Sequence, residues 1–143
     1  MLVETILNAK GRDVATVRPD VSLRALAELL AEKRIGAVVV TDAQERLVGI
    51  VSERDVVRAL ARFGERALAM PVADAMTREV KTCRPDDTVE HLMSVMTDGR
   101  LRHLPVLVDG RLGGIVSVGD IVKSRIEESE LEARSLRDYV MAG

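Results

Sequence analysis

The sequence predicts an α/β fold of two copies of one β-α-β-β-α unit, packed sheet to sheet with pseudo-two-fold symmetry. Residues 47–56 (LVGIVSERDV) match residues 112–121 (LGGIVSVGDI), an offset of 65 positions, and residues 16–22 (TVRPDVS) match residues 82–88 (TCRPDDT), an offset of 66. Matching blocks in the same order indicate a repeated structural unit. Each unit alone has a small sheet with one face that it cannot bury, and pairing the units buries both faces.

The first unit begins with a short β-rich stretch at 14–17. Ser22 is a suitable N-cap for a helix whose apolar residues recur at helical spacing, and Gly36 marks its end or the start of the next strand. Two apolar strands follow, at 37–41 and 47–51, and Ser52 caps a second helix.

The second unit repeats this order. A short strand is predicted at Val80–Cys83, and Asp87 with Glu90 has the spacing of a capping box for the next helix. A hairpin follows around Asp109 and Gly110, which form a strong turn pair. Ser117 caps the last helix.

The division into domains follows from the repeat. We expect a first repeat with an N-terminal short helix at 1–69, a second repeat at 70–123, and a helical extension at 124–143. The extension carries apolar and small residues at alternating spacings of four and three, a short heptad-like stripe that can pack on its own module or on a second subunit. The stripe consists of Val122, Ile126, Ser129, Ala133, Leu136 and Val140.

Composition excludes several classes of function. The net charge is −2, with no Trp, one Tyr and one Phe, so a basic surface and aromatic platforms for nucleic acid are both missing. No apolar run approaches the length of a membrane helix and the N-terminus does not resemble a signal peptide, so we expect a cytoplasmic protein without membrane contact. One Cys and two His make a transition-metal site improbable.

The duplicated unit, with GIVSERD at 49–55 and GIVSVGD at 114–120, resembles a tandem pair of CBS domains, often called a Bateman module. RHLPV at 102–106 and VADAMT at 72–77 add to the resemblance, which covers the chain from about Val3 to Lys123. It implies a regulatory module, without catalysis, that binds an adenosyl nucleotide such as AMP, ATP or NAD(H) between the repeats. It also implies a homodimer, for which the C-terminal stripe gives weak support, and a partner protein that the sequence does not name.

The resemblance assigns roles to individual residues. Asp55 and Asp120 close the two motifs and would hold the ribose hydroxyls. Arg102 and His103 would lie near the phosphates. The remaining residues of the predicted site are the base-lining Thr16 and Thr82, the helix-capping Ser52 and Ser117, Arg54 at a helix start, and Pro105 after the basic pair.

The chemistry of these residues also permits structural readings. A carboxylate in the first turn of a helix is stabilised by the helix dipole, but it can equally accept two hydrogen bonds from a vicinal diol. Its presence at both equivalent positions favours the diol. Arg102 and His103 are as compatible with surface solvation as with phosphate binding. Arg54 lies at a helix start, where the helix dipole disfavours a cation, and this favours a functional role such as contact with a phosphate.

Other functions remain to be compared with a nucleotide sensor. One alternative is a dimeric interaction scaffold with no bound nucleotide, whose clefts are empty or filled by its own side chains; Arg102 folded onto Asp120 would be the sign of the filled case. An enzyme related to inosine monophosphate dehydrogenase would need a barrel and a catalytic loop that the chain has no room for. A DNA-binding regulator lacks its basic face.

Overall fold

The computed structural model describes residues 1–142, and their helices and strands follow the predicted order. The first half contains α1 (Val3–Lys10), β1 (Thr16–Val17), α2 (Leu23–Lys33), β2 (Ala37–Thr41), β3 (Leu47–Ser52) and α3 (Glu53–Phe63). Two 3₁₀ helices (Gly64–Ala69 and Val72–Asp74) lead to α4 (Val89–Gly99), β4 (His103–Val108), β5 (Arg111–Ser117) and α5 (Val118–Ala142). The predicted α/β class and the duplication are confirmed.

The first sheet has the strand order β1-β2-β3, with β1 parallel and β3 antiparallel to the central β2. Every residue of β2 is buried, because this apolar strand is covered on both faces. Val38 and Val40 pack on the helices of the first half. Val39 is equally inaccessible but points to the opposite face, since side chains alternate along a strand.

The second sheet pairs β4 with β5 in antiparallel fashion, and the predicted strand at Val80–Cys83 is reduced to one parallel bridge between Cys83 and Val106. The reason lies in the sequence of β4. In the first sheet the Val39 N–H donates to the Ala15 carbonyl at 3.2 Å, whereas the equivalent residue of β4 is Pro105, which has no N–H. Pairing therefore cannot extend toward residue 81.

The helix ends agree only partly with the predictions. Ser22 caps α2 by accepting from the Ala25 N–H at 3.1 Å, as expected. The helix ends at Arg34, not at Gly36, because Arg34 itself adopts the left-handed conformation at φ 55°.

The start of α4 also differs from the prediction of a capping box formed by Asp87 and Glu90. The N-cap is Thr88, whose side chain accepts from the His91 N–H at 3.1 Å. The Asp87 carboxylate instead accepts from the Arg84 N–H at 2.7 Å and closes the preceding turn.

Each half has its own hydrophobic core, and the short segments before the repeats are exchanged between them. Leu7 of α1 is fully buried in the core of the second half, with Leu92 and Leu104. Val72 is fully buried in the core of the first half, with Leu26. The predicted range 1–69 is thus contiguous in sequence, but its N-terminal helix packs on the other repeat. This exchange ties the halves together.

The two sheets face each other across the pseudo-two-fold axis. Val39 and Pro105 hold equivalent positions on the inner faces, and both are buried. At the edge of this interface Gly36 contacts His103, since a Cβ atom added to Gly36 would lie 3.5 Å from His103 Cε1. The strand starts of the two halves therefore meet.

The last helix, α5, extends beyond the body of the module. Its first turns contribute Ile121 and Ser124 to the interior, but the apolar side chains farther along are exposed. Val122, Ile126, Leu136 and Val140 of the predicted stripe are between 50% and 66% accessible. The stripe therefore does not pack on its own module.

No helix within residues 1–142 combines the length and the apolar character needed to cross a membrane.

Candidate functional site

A cleft opens between the two repeats where β3 passes into α3; we call it the first cleft. One wall is formed by residues 50–55 and Arg58, and the other by residues 99–103 of the second repeat, with Thr77 between them. Its volume is about 340 Å³, which lies within the usual range of small-molecule sites.

Asp55 lies in this cleft with part of its carboxylate unused. Its Oδ2 accepts from the Ser52 N–H at 2.8 Å and from the Ser52 Oγ at 3.2 Å. Within residues 1–142, no donor reaches the other oxygen, Oδ1. The local sequence explains the arrangement, because an acid three residues after an N-cap turns back to the cap. The capping role and a free acceptor oxygen coexist in one side chain.

Four arginines face the same cleft: Arg54 and Arg58 from α3, and Arg100 and Arg102 from the segment before β4. Among the described residues, none of the four forms an ion pair. The carboxylates that line the cleft are those of Glu53 and Asp55, so the lining has a formal excess of two positive charges. A cleft of this charge attracts anions.

Arg100 is held in an unusual backbone conformation. It ends α4 at φ 53°, in the left-handed region that glycine normally occupies at helix ends. Arg34 ends α2 at the equivalent position with φ 55°. Both residues line a cleft, and backbone strain of this kind is typical of functional positions.

His103 lies between the first cleft and its pseudo-symmetric counterpart, and lines both. Burial lowers the pKa of His103 below its ordinary value of 6.5, and the positive charges of Arg102 and Lys10 lower it further, against the opposing effects of Asp120 and Glu53. The ring is therefore neutral at neutral pH. It can both donate and accept a hydrogen bond there.

The counterpart, which we call the second cleft, is lined by Lys10, residues 13–15, residues 33–37, His103, and Ile115 and Ser117 of β5. Its volume is about 860 Å³. Where the first cleft has Arg102 and His103 on its far wall, the second has Gly36 and Ala37, which are equivalent by the offset of 66. Gly36, Ala37 and His103 lie between the clefts and line both of them.

Asp120 does not line the second cleft, although Asp55 lines the first. It faces a groove between α1 and α5, where its Oδ2 accepts from the Lys10 Nζ at 2.7 Å and from the Ser117 N–H at 2.8 Å. Burial by itself raises the pKa of Asp120, but the bonds from Lys10 and Ser117 outweigh it, and the pKa lies below 3.8. This carboxylate is ionised and already paired.

The ten residues predicted for the site are thus divided among several places. Asp120 is in the α1/α5 groove, and Pro105 is buried within β4, where its carbonyl accepts from the Cys83 N–H at 3.0 Å. Thr16 and Thr82 are exposed and line neither cleft, so their positions do not support a role beside a base. The first cleft brings together Ser52, Arg54, Asp55, Arg102 and His103, and Ser117 lines the second.

Five cationic residues of the clefts were not predicted, and Lys33 of the second cleft is one of them. Arg58 follows Arg54 by four positions, the spacing that puts two side chains on one helix face. Arg34 and Arg100 align at the offset of 66, so the repeat itself could have revealed them. Lys10 had no signal of its own, because it follows the part of α1 that matches the segment before the second repeat, where Leu7 corresponds to Met76.

Outside the clefts we considered two further kinds of site, a reactive cysteine and a metal-binding group. Burial, and after it the charge of Asp87, raise the pKa of the Cys83 thiol to about 12, and the side chain packs in the second core. Within residues 1–142 there is no group of three or more His, Cys, Asp or Glu side chains that could hold a metal ion.

The chain matches proteins with CBS domains in sequence. The family model of the CBS domain matches residues 8–62 and 72–127. The CBS domain-containing protein CBSX3, mitochondrial, of Arabidopsis thaliana is 36% identical over 118 residues, which are 80% of this chain and 57% of that protein. The chain thus spans little more than half the length of this relative. The CBS domain-containing protein YhcV of Bacillus subtilis is 29% identical over 124 residues, 87% of each chain.

Solved structures give the same match in three dimensions. A CBS-domain containing protein from Agrobacterium tumefaciens superimposes with a TM-score of 0.85 at 50% identity, over 87% of this chain and 92% of that one. The CBS domain pair of protein MJ0100, solved in complex with 5′-methylthioadenosine and S-adenosyl-L-methionine, superimposes with a TM-score of 0.77 at 29% identity, over 91% and 98%.

Proposed function

The chain belongs to the CBS-domain family and carries a pair of these domains, and from this premise we propose that it binds an adenine nucleotide in the first cleft and acts as a regulatory module without catalysis. AMP, ATP and NAD(H) are the candidate ligands. One observation carries the proposal: a carboxylate with a free oxygen faces unpaired arginines across a cleft that both repeats build.

The carboxylate suits the ribose part of such a ligand. The unused Oδ1 of Asp55, together with the remaining acceptor capacity of Oδ2, can accept hydrogen bonds from two vicinal hydroxyl groups. Its negative charge suits the start of a helix, and its bonds to Ser52 fix its direction. The complex of the MJ0100 domain pair with adenosyl ligands supports an adenosine moiety.

The arginines favour a ligand with phosphates over other adenosyl compounds. 5′-Methylthioadenosine has no charge to offer them, and the sulfonium of S-adenosyl-L-methionine would be repelled. A phosphate chain would instead neutralise the excess positive charge and receive the two-pronged hydrogen bonds that guanidinium groups provide. His103, neutral and half-buried, would add a hydrogen bond at the base of the cleft.

Regulation would follow from the position of the ligand. Asp55 belongs to the first repeat, whereas Arg100 and Arg102 belong to the second, so a bound nucleotide would join both. Binding would favour one relative orientation of the repeats, and a partner protein would respond to that change.

We also propose that two chains associate through the exposed stripe of α5. The helix has 25 residues, a length of about 37 Å, and its apolar side chains have no partner within the described module. Replacing Leu136 by Glu is expected to shift the mass measured by light scattering from two chains to one. Ser135→Glu, beside the stripe, is the control, and equal masses for both variants and the wild type would contradict this interface.

The ligand is tested by isothermal titration calorimetry with AMP, ATP, NADH and adenosine. Asp55→Asn keeps an acceptor for the Ser52 N–H and removes the charge, so nucleotide affinity is expected to fall about tenfold or more, since a hydrogen bond to a charged group contributes about 1.5–3 kcal/mol. The matched control is Asp86→Asn. Asp86 is an exposed carboxylate in the turn before α4, and it lines neither cleft.

The outcomes separate the two candidate functions. Tighter binding of ATP than of adenosine, lost in Asp55→Asn and retained in Asp86→Asn, supports the sensor. Unchanged binding in Asp55→Asn would contradict the ribose assignment. The scaffold alternative retains one favourable observation, because a side chain does fold onto Asp120, although it is Lys10 and not Arg102. Absence of binding by all four compounds would favour that alternative.

A further inference from the structure

The two motif carboxylates, Asp55 and Asp120, differ in whether a cation is bound to them. Asp55 has no cation partner among residues 1–142, whereas the Lys10 ammonium lies 2.7 Å from Asp120 Oδ2. The lysine has no counterpart beside Asp55, since Met76 of the segment before the second repeat corresponds to Leu7 of α1. The carboxylates are otherwise held alike, since each accepts from its own serine N–H at 2.8 Å.

The lysine also takes over a backbone partner. In the first repeat the Ile50 carbonyl accepts from the Thr77 N–H at 2.8 Å, which joins the incoming chain to β3. The equivalent carbonyl of Ile115 accepts from the Lys10 Nζ at 2.9 Å instead. Lys10 therefore bridges the Asp120 carboxylate in the α1/α5 groove and the carbonyl of Ile115, a residue that lines the second cleft.

The bridging lysine lies where the second cleft adjoins the α1/α5 groove. Lys10 lines both the second cleft and the α1/α5 groove, whereas Asp120 lines only the groove. In the first cleft, Asp55 and the rest of the lining share one cavity. The ammonium thus stands between Asp120 and the space in which a ligand would lie.

We propose that Lys10 closes the second cleft by competing with ribose hydroxyls for Asp120, so that the chain binds nucleotide at the Asp55 cleft alone. This inference rests on the proposed function of the first cleft. A bond between ammonium and carboxylate is stronger than one between a hydroxyl and a carboxylate. The competition is at Oδ2, since Asp120 Oδ1 accepts no hydrogen bond among residues 1–142. A ribose diol that uses both carboxylate oxygens must therefore displace Lys10, and the duplicated protein behaves as a one-site protein.

The test varies the charge of residue 10. Lys10→Met removes the ammonium and keeps an unbranched side chain of similar length, and Lys10→Arg keeps a cation at that place. Calorimetry with ATP and with adenosine is expected to show one site per chain in the wild type and in Lys10→Arg. Lys10→Met is expected to gain a second site for at least one of the two probes, and the double variant with Asp120→Asn is expected to lose it.

Three results would overturn the inference: no added site in Lys10→Met, an added site that survives Asp120→Asn, or a wild-type site that already depends on Asp120. Lys10→Gln removes the charge and keeps most of the side-chain length, and it replaces Lys10→Met if circular dichroism shows that variant to be unfolded.

The failure of this inference can be told apart from the failure of the proposed function. Sites lost in Asp55→Asn report on the first cleft, and sites lost in Asp120→Asn report on the second. A wild type that binds nothing would contradict the proposed function, while gain or absence of an Asp120-dependent site in Lys10→Met would still decide the role of Lys10.

Discussion

Replacing Arg100 by Gly should make the protein more stable and a weaker nucleotide binder. Arg100 adopts a left-handed conformation at φ 53°, which costs a residue with a Cβ atom about 1–2 kcal/mol. Glycine removes this strain but gains freedom in the unfolded chain, which offsets about 0.4–1 kcal/mol. The net stabilisation is then about 0.5–1 kcal/mol, or roughly 2–4 °C in Tm for a chain of this size.

The same change removes one guanidinium from the first cleft. Loss of one exposed phosphate contact of about 1 kcal/mol corresponds to about a fivefold weaker affinity for ATP. Adenosine, which has no phosphate, should bind as before. Differential scanning calorimetry measures the first effect and isothermal titration calorimetry the second.

The other repeat provides the matched control for this prediction. Arg34→Gly relieves the same strain at φ 55° but acts on the second cleft, so Tm should rise while ATP binding at the Asp55 cleft is unchanged. Arg100→Ala keeps the strain and removes the guanidinium, so it should lower affinity without stabilising. If both glycine variants were less stable than the wild type, the argument from strain would be refuted. Unchanged ATP affinity in Arg100→Gly would refute the argument from charge.

Three further predictions concern packing, reactivity and acid stability. Gly49→Ala should lower the free energy of unfolding, measured by chemical denaturation, by about 1–3 kcal/mol. The reason is that a Cβ atom at residue 49 would come within 2.5 Å of the Met76 Sδ. The control is Gly119→Ala, whose Cβ atom would meet nothing closer than 3.6 Å and should stabilise its helix. Cys83, with its pKa near 12 and 4% accessibility, should react with a thiol reagent at pH 8 roughly 1,000-fold more slowly than a free thiol, until the protein is denatured. Because the pKa of Asp120 is lower in the folded chain than its ordinary 3.8, its stabilising effect is present above pH 4 and is lost as the pH falls through the folded value, so Asp120→Asn should flatten the acid limb of a urea stability profile.

Local sequence predicted the elements whose formation depends on local contacts. Ser22, Ser52 and Ser117 each precede a helix, and their bonds reach only three residues along the chain. The side chains of Ser22 and Ser117 accept from the backbone N–H groups of Ala25 and Asp120, while the Ser52 N–H donates to the Asp55 carboxylate. The repeat supplied the rest of the order. A duplicated pattern shows that a unit exists even where each strand is too short to be identified alone.

Predictions failed where the deciding partner was distant or where two rules conflicted. The strand at 80–83 depends on donors in β4, and Pro105 removes the one that would extend it. Gly36 follows the pattern of a helix end, but Arg34 takes the left-handed conformation two residues earlier. No sequence rule pairs Lys10 with an acid 110 positions away.

The asymmetry between the clefts follows from which repeat supplies each wall. The first cleft takes the carboxylate of Asp55 from one repeat and its far wall from the other, so a substitution in one repeat acts differently on the two clefts. Arg102 and His103 enrich the cleft of Asp55, while Gly36 and Ala37 leave the other without cations at the same place. Lys10 then adds a cation that binds the second carboxylate. Changes confined to one copy of a duplicated fold can therefore make two equivalent sites chemically different. Here the carboxylate without a cation partner, Asp55, lies in the cleft that the four arginines line.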